Sequence, residues 1–333
     1  MAMKRVLLGK SGIEVSELCL GTMQFGPSCD EAEAERIISA ALERGANFID
    51  TAAAYGNSGE GECESMLGRI LKGKRDQAVI ATKLPTFTET EDIAQSLDES
   101  LERLQTDCVD LYMMHFPKVG MEPRRIMSAF NDAVVAGKAR AIGCCNCPAW
   151  LVEHFNGIAA VEGWAPMTCH QVPYNPIERG IEVEILPQAK TTNVAITVYR
   201  SLLMGVLAGK YTKDGPVPEG SRGALDHKKK RPQGLMERHG DALDKFKAFA
   251  DGLGVTPAQL AIAWVRHCPA VTCPLVGFSS LRQLDSTLGA FDVDLTDEQH
   301  AEIADIFDAE VREESCGKLP LLRRNLNLVA SED

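Results

Sequence analysis

Four short segments constrain this chain more than anything else in it. They are Asn47-Phe-Ile-Asp50-Thr-Ala-Ala-Ala-Tyr55-Gly, Val79-Ile-Ala-Thr-Lys83, Leu111-Tyr-Met-Met-His115 and Ala141-Ile-Gly-Cys-Cys-Asn146. Each opens as a short apolar run, the pattern of a strand buried on both faces of a parallel sheet, and each closes on a polar or ionisable side chain. Parallel strands carry all their carboxyl ends on one edge. Asp50, Tyr55, Lys83, His115 and Asn146 are therefore expected at a common mouth despite their scatter in sequence. An aspartate, a tyrosine, a lysine and a histidine in one cleft form a set able to relay a proton.

The alternation runs on along the chain. Candidate strands are Glu17–Gly21, Asn47–Thr51, Gln77–Thr82, Val109–Met114, Ala139–Gly143, Thr168–Gln171, Ala195–Tyr199 and Val271–Val276. Amphipathic helices such as Asp30–Glu43, Cys63–Leu71, Ile93–Leu104 and Met127–Ala136 lie between them. Asp30 is a capping residue with acids in the turn after it, and Gly45 and Gly137 stand where two helices want a left-handed cap. Eight strands with intervening helices and no linker predict a (β/α)8 barrel, an α/β fold forming one domain over residues 1–333.

Three segments depart from the alternation. Residues 4–16 read as a hairpin turning at Lys10-Ser-Gly12, ahead of the first barrel strand. Residues 212–236 are rich in Gly, Pro and Lys and read as a long loop able to close over the mouth. The tail beyond Asp308 could pack over either end. Gly56-Asn-Ser-Gly59-Glu-Gly61 imitates a dinucleotide-binding turn, but its glycines are in the wrong order and Glu60, Glu62 and Glu64 would repel a pyrophosphate. It reads as a connection into the second helix.

Composition narrows the partners. With 35 basic and 47 acidic residues the net charge is −12, which argues against nucleic acid and anionic membranes. The basic run Lys228-Lys229-Lys230-Arg231 is the exception, a solvated loop segment or a contact for a phosphate-bearing ligand. Apolar runs fall short of a membrane span and no signal-peptide pattern is present, so a cytoplasmic location is expected. Eleven cysteines then read as reduced thiols. Cys144-Cys145-Asn146-Cys147 has CxxC spacing but lacks a second ligand pair of matching form, so no metal centre is expected.

Further motifs fall in order. Gly45-Ala-Asn-Phe-Ile-Asp50-Thr-Ala-x-x-Tyr55-Gly with Glu64, Asp110-Leu-Tyr-x-x-His115 and Ala141-Ile-Gly-x-x-Asn146 are followed by Gln171 with Tyr174-Asn175, and by Tyr199-x-x-Leu202-x-x-Gly205-x-Leu-x-Gly-Lys210-Tyr211. Together they resemble the aldo-keto reductase superfamily over nearly the whole chain. The resemblance implies a barrel that reduces an aldehyde, ketone or sugar carbonyl with a nicotinamide cofactor, NADPH first and NADH second. Asp50, Tyr55, Lys83 and His115 are then the catalytic set. Gly21, Thr22 and Met23 line the floor, Tyr199 stacks on the nicotinamide, and Asn146 and Gln171 hydrogen-bond its carboxamide, with Asp50 and Cys145 beside them. Arg200, in reach of a pyrophosphate, joins Ser201, Leu202, Gly205 and Lys210 as further cofactor contacts. Gly277, Ser279, Gln283 and Thr287 hold the adenosine end, beside a helix N-terminus suited to anions. The chain departs from the family pattern where Gly277-Phe-Ser279 replaces a common Lys or Arg, Arg200 a small residue, and Cys145 a Ser.

Carbonyl reduction needs a hydride on carbon and a proton on oxygen. Tyr55 is the natural donor, although a free phenol with a pKa of about 10 is a reluctant acid. Lys83 is expected to lower that pKa, Asp50 to hold Lys83 charged, and His115 to orient the substrate oxygen. Phe25, Phe87, Phe116 and Trp150 are candidate apolar walls, with a place in the core as the equal alternative for each. A second class stays open: a cofactor-binding regulatory subunit on the same barrel with little turnover. The sequence sets no oligomeric state.

Overall fold

Arg5–Leu7 (β1) and Glu14–Ser16 (β2) pair antiparallel as the expected hairpin. They open a computed structural model that describes residues 3–56, 61–85, 92–118, 120–212, 215, 217–218, 224 and 230–308. Residues 57–60 within the Gly56–Gly61 segment, the stretch 86–91 with Phe87, Lys228 and Lys229, and the tail after Asp308 lie outside the described residues.

Eight parallel strands follow the hairpin: β3 (Cys19–Gly21), β4 (Phe48–Asp50), β5 (Val79–Leu84), β6 (Val109–Met114), β7 (Ala139–Cys145), β8 (Met167–Pro173), β9 (Ala195–Tyr199) and β10 (Cys273–Gly277). They close into a barrel in chain order, with β10 returning to β3. Around it stand α1 (Glu31–Glu43), α2 (Glu62–Ile70), α3 (Ile93–Leu104), α4 (Pro123–Val135), α5 (Ala149–Glu162), α6 (Ile185–Thr192), α7 (Lys230–Gly252), α8 (Pro257–His267), α9 (Leu281–Leu288) and α10 (Asp297–Asp308). This is the (β/α)8 fold. No helix among the described residues is long and apolar enough to cross a membrane.

Local signals account for most boundaries. The Asp30 carboxylate accepts the Glu33 N–H at the start of α1, and Gly45 and Gly137 take φ of 85° and 72° after α1 and α4. Helix α4 starts at Pro123 rather than Met127, because Glu122 caps it and proline suits a first helical position. The expectation of one loop over 212–236 is corrected: from Lys230 the chain is already in α7. Pro232 does not prevent this, since a first-turn proline gives up an N–H that has no helical partner there.

The barrel interior is filled from the bottom by Cys19, Phe48, Val79, Ala81, Leu111, Met113, Ala141, Cys169, Ala195 and Cys273. Leu8, Ile13 and Val15 of the hairpin join this cluster and plug the N-terminal end. Gly9 fits there for lack of a side chain: at φ +55° a Cβ would lie 2.6 Å from the Thr168 carbonyl oxygen and 2.7 Å from the Ala195 nitrogen. The bottom is closed, so the open mouth is at the carboxyl ends.

Candidate active site

Strand periodicity decides which side chains reach that mouth. Counting inward positions two by two up each strand from the interior cluster leads to Gly21, Asp50, Lys83, Cys145, Gln171, Tyr199 and Gly277. Register places Gly21 beside Asp50 and Cys145 beside Gln171. The loop after β4 then turns through a Tyr55 N–H to Ala52 carbonyl bond and hangs Tyr55 over the opening.

Lys83 is fully buried. Its ammonium donates to both Asp50 oxygens at 2.7 Å, to the Thr51 carbonyl at 2.8 Å and to the Tyr55 hydroxyl at 3.3 Å. Gln171 Nε2 donates to Asp50 Oδ1 at 2.9 Å. The His115 ring meets the Tyr55 ring edge-on at 5.9 Å and stacks on Phe116. Asn146, at φ 58°, donates through Nδ2 to the His115 carbonyl, and the Tyr199 hydroxyl donates to Asn146 Oδ1 at 2.6 Å. The five residues expected at one mouth meet there.

A family model described as the Aldo/keto reductase family matches residues 17–308. The chain belongs to the aldo/keto reductase family. The uncharacterized oxidoreductase YrpG of Bacillus subtilis is 34% identical over 322 residues, covering 92% of this chain and 96% of its own. The Schizosaccharomyces pombe aldo-keto reductase yakc, whose name carries NADP(+), is 31% identical and covers 88% of each chain. A probable voltage-gated potassium channel subunit beta of Arabidopsis thaliana is 31% identical, over 86% of this chain and 90% of its own.

Within this site the electrostatics differ from expectation in one respect. Burial pushes the Tyr55 phenol up to about 12, Lys83 pulls it down, and Asp50 works against Lys83. The net direction is upward because desolvation of the phenolate outweighs the ammonium. Burial opposes the charge on Lys83, but Asp50 and Tyr55 outweigh it and hold the ammonium protonated above its ordinary range.

The family works with nicotinamide dinucleotides, and the mouth fits one. Tyr199 offers a half-buried ring at the end of β9 and is hydrogen-bonded to Asn146, while Gln171 stands on the adjacent strand β8; these two side-chain amides carry the donor and acceptor types that a carboxamide pairs with. The loop after β9 holds Arg200, Leu203 and Met204 at positive φ (63°, 44° and 57°), strain of the sort that collects where ligands are clamped. In the same loop Ser201 is buried on the Val198 carbonyl, Leu202 packs against the core, Gly205 takes φ 92° and Lys210 is exposed. Thr22 is buried on the Asp50 carbonyl and Met23 is exposed at the rim. Gly277 is exposed at the end of β10, Ser279 and Gln283 are half-buried, and Thr287 is buried within α9.

Several partners of these residues escaped the sequence. Glu178 holds the Arg200 guanidinium at 2.7 Å, so a pyrophosphate would have to share it. Glu33, read only as a first-turn acid, reaches across to α9. Of the two alternatives left open for each aromatic, Phe25 takes the core, being fully buried, whereas Trp150 is exposed and Phe116 half-buried. The CxxC thiols are buried, Cys144 on the outer side of β7 and Cys147 just beyond its end, and a Cys147 hydrogen bond together with burial keeps Cys144 protonated. Such thiols are inert.

Proposed function

We propose that this chain is a nicotinamide-dependent carbonyl reductase in which Tyr55 gives the proton to the carbonyl oxygen. The observation that carries the reading is the Lys83 ammonium, fixed by both Asp50 oxygens and within hydrogen-bond reach of the Tyr55 hydroxyl. When bound, NADPH or NADH supplies the hydride. Tyr55 and His115 sit on the open side of Lys83 and would receive the substrate oxygen. The phenol stays protonated at neutral pH, as a donor must. As its proton leaves, the ammonium already beside the oxygen stabilises the phenolate without reorganisation. Asp50 keeps that ammonium charged, and Gln171 keeps Asp50 in place. Trp150 and Phe116 at the rim suit a small molecule with an apolar part. Ten described cysteines, all free, suit a reducing compartment such as the cytoplasm.

The test is oxidation of NADPH and of NADH with a panel of aldehydes, ketones and sugars, followed by nicotinamide absorbance. Tyr55→Phe is expected to slow the chemical step by about 10²–10⁴. A variant of near wild-type rate would remove Tyr55 from the role. The channel-subunit relative motivates a second reading, a cofactor-binding subunit. Tight cofactor binding with no consumption on any carbonyl would favour it.

A further inference from the structure

Tyr55 hangs on a loop, yet a proton donor must keep a fixed distance from the ammonium beside it. Inside the mouth Lys83 spans the gap, reaching both Asp50 and the Tyr55 hydroxyl. A second circuit joins the same two residues through the backbone. Thr22, just past β3, donates its N–H and its hydroxyl to the Asp50 carbonyl at 3.0 and 3.1 Å. The thiol of Cys63, in the first turn of α2, shares its proton between the carbonyls of Thr22 at 3.4 Å and Phe25 at 3.2 Å. The Cys63 N–H donates to the Tyr55 carbonyl at 3.4 Å. Asp50, Thr22, Cys63 and Tyr55 thus make a ring that Lys83 closes from the inside.

Cys63 is fully buried, and burial, with Glu62 and Glu64 adding to it, raises the thiol to about 12. The sulfur therefore stays protonated and remains a donor. An S–H bond is weak, so what it contributes here is place more than strength. The packing around it leaves little slack. The neighbouring Glu62 side chain lies against both loops of the circuit: a Cβ on Gly56 would fall 2.5 Å from Glu62 Cβ, and one on Gly26 3.0 Å from its Oε1. Both glycines hold positive φ, 125° and 87°. The loop after β3 and the loop carrying Tyr55 meet at the start of α2, so a shift of Cys63 passes to the Tyr55 backbone.

We propose that Cys63 is a positioning residue for the proton transfer, holding the Tyr55 loop at the spacing that Lys83 requires. The proposal rests on the reading of Tyr55 as the proton donor. It assigns Cys63 no contact with substrate or cofactor.

Single-turnover hydride transfer tests it, with a carbonyl that the wild type reduces and saturating NADPH or NADH. The variants are Cys63→Ala, Cys63→Ser, Tyr55→Phe and the double variant of Tyr55→Phe with Cys63→Ala. A misplacement of 1 Å costs about a hundredfold, so a fraction of that corresponds to about tenfold. Cys63→Ala is expected to slow the chemical step about tenfold and to leave KM for the carbonyl within about twofold. Cys63→Ser keeps a donor facing the same two carbonyls and should run within about threefold of wild type. In the Tyr55→Phe background Cys63→Ala should cost less than about twofold, because no phenol is left to place. A Cys63→Ala protein of wild-type rate overturns the proposal, as does an equal loss in both backgrounds, which marks a residue acting on the fold alone. A folded Cys63→Ser protein slowed about tenfold or more overturns it too, whether or not Cys63→Ala folds. A wild type that reduces no carbonyl, or a Tyr55→Phe protein of near wild-type rate, overturns the donor reading itself and this proposal with it.

Discussion

Replacing Lys83 by Met keeps an unbranched side chain in the barrel and removes the ammonium. The loss is large because nothing else can take its place. Asp50, 1% exposed, would lose both 2.7 Å bonds and keep only the Gln171 amide, and the Thr51 carbonyl would lose its donor. Breaking a buried ion pair from one side costs about 3–5 kcal/mol, since the surviving charge stays desolvated and unpaired. At about 2–4 °C per kcal/mol for a large domain, the melting temperature should fall by roughly 6–20 °C. Adding Asp50→Asn removes the stranded charge, so the double variant should regain more than half of that loss. Turnover should not return: with no cation beside the phenol, the chemical step stays about 10²–10⁴ below wild type. Calorimetric unfolding of both variants, paired with single-turnover hydride transfer, separates the two effects. A Lys83→Met protein within about 1 kcal/mol of wild type would refute the argument, as would a double variant no more stable than the single one.

Other expectations concern pH and packing. The Tyr55 phenol is raised to about 12, so its protonated form is the one favoured by folding. That contribution is complete below pH about 10 and disappears as pH climbs toward 12. Urea unfolding across this range should show an alkaline limb that Tyr55→Phe flattens; an identical limb in both would contradict the burial argument. His170, fully buried on β8 beside Cys144, is pushed down to about 3 by burial. Its contribution is present above pH about 6.5 and is lost as pH falls toward 3, at up to ~1.4 kcal/mol per pH unit. His170→Leu should soften acid unfolding, and an unchanged acid midpoint would count against it. Gly143→Ala would set a Cβ 2.5 Å from the Cys169 carbonyl oxygen of the neighbouring strand, backbone that cannot swing aside. It should cost about 1–3 kcal/mol in denaturant unfolding, and a neutral result would show that the barrel wall yields.

What the sequence made legible follows from strand geometry. A parallel barrel sends all strand ends to one edge, and period-two alternation sends Asp50 and Lys83 inward together, so apolar runs ending in polar residues locate a mouth. The hairpin and the caps at Asp30, Gly45 and Gly137 were legible because each depends on neighbours in the chain. Helix α7 was not, because proline, glycine and lysine near its start imitate a loop, and only packing against the rest of the barrel selects the helix. Glu33 on Leu281, Glu178 on Arg200 and Gln171 on Asp50 are contacts that chain closure creates between remote elements. The direction of the Tyr55 shift was hidden for a related reason. Lys83 can be read from its motif, whereas desolvation depends on everything that covers the ring.

The same logic explains why Lys83 needs support on the far side of its strand. Thr82 faces outward from β5 and donates to Glu64 of α2, which is fully buried and also accepts from Arg103 of α3 at 2.7 Å. Consecutive residues of one strand are therefore anchored on opposite faces, one to an ion pair between helices and the other to an ion pair inside the barrel. A slip of one residue in β5 would turn Lys83 out and Thr82 in, stranding Asp50 within the barrel and taking Thr82 from Glu64. Two desolvated carboxylates thus set the register that brings the ammonium to the phenol. The outer pair, far from any substrate, is part of the reason the inner one can work.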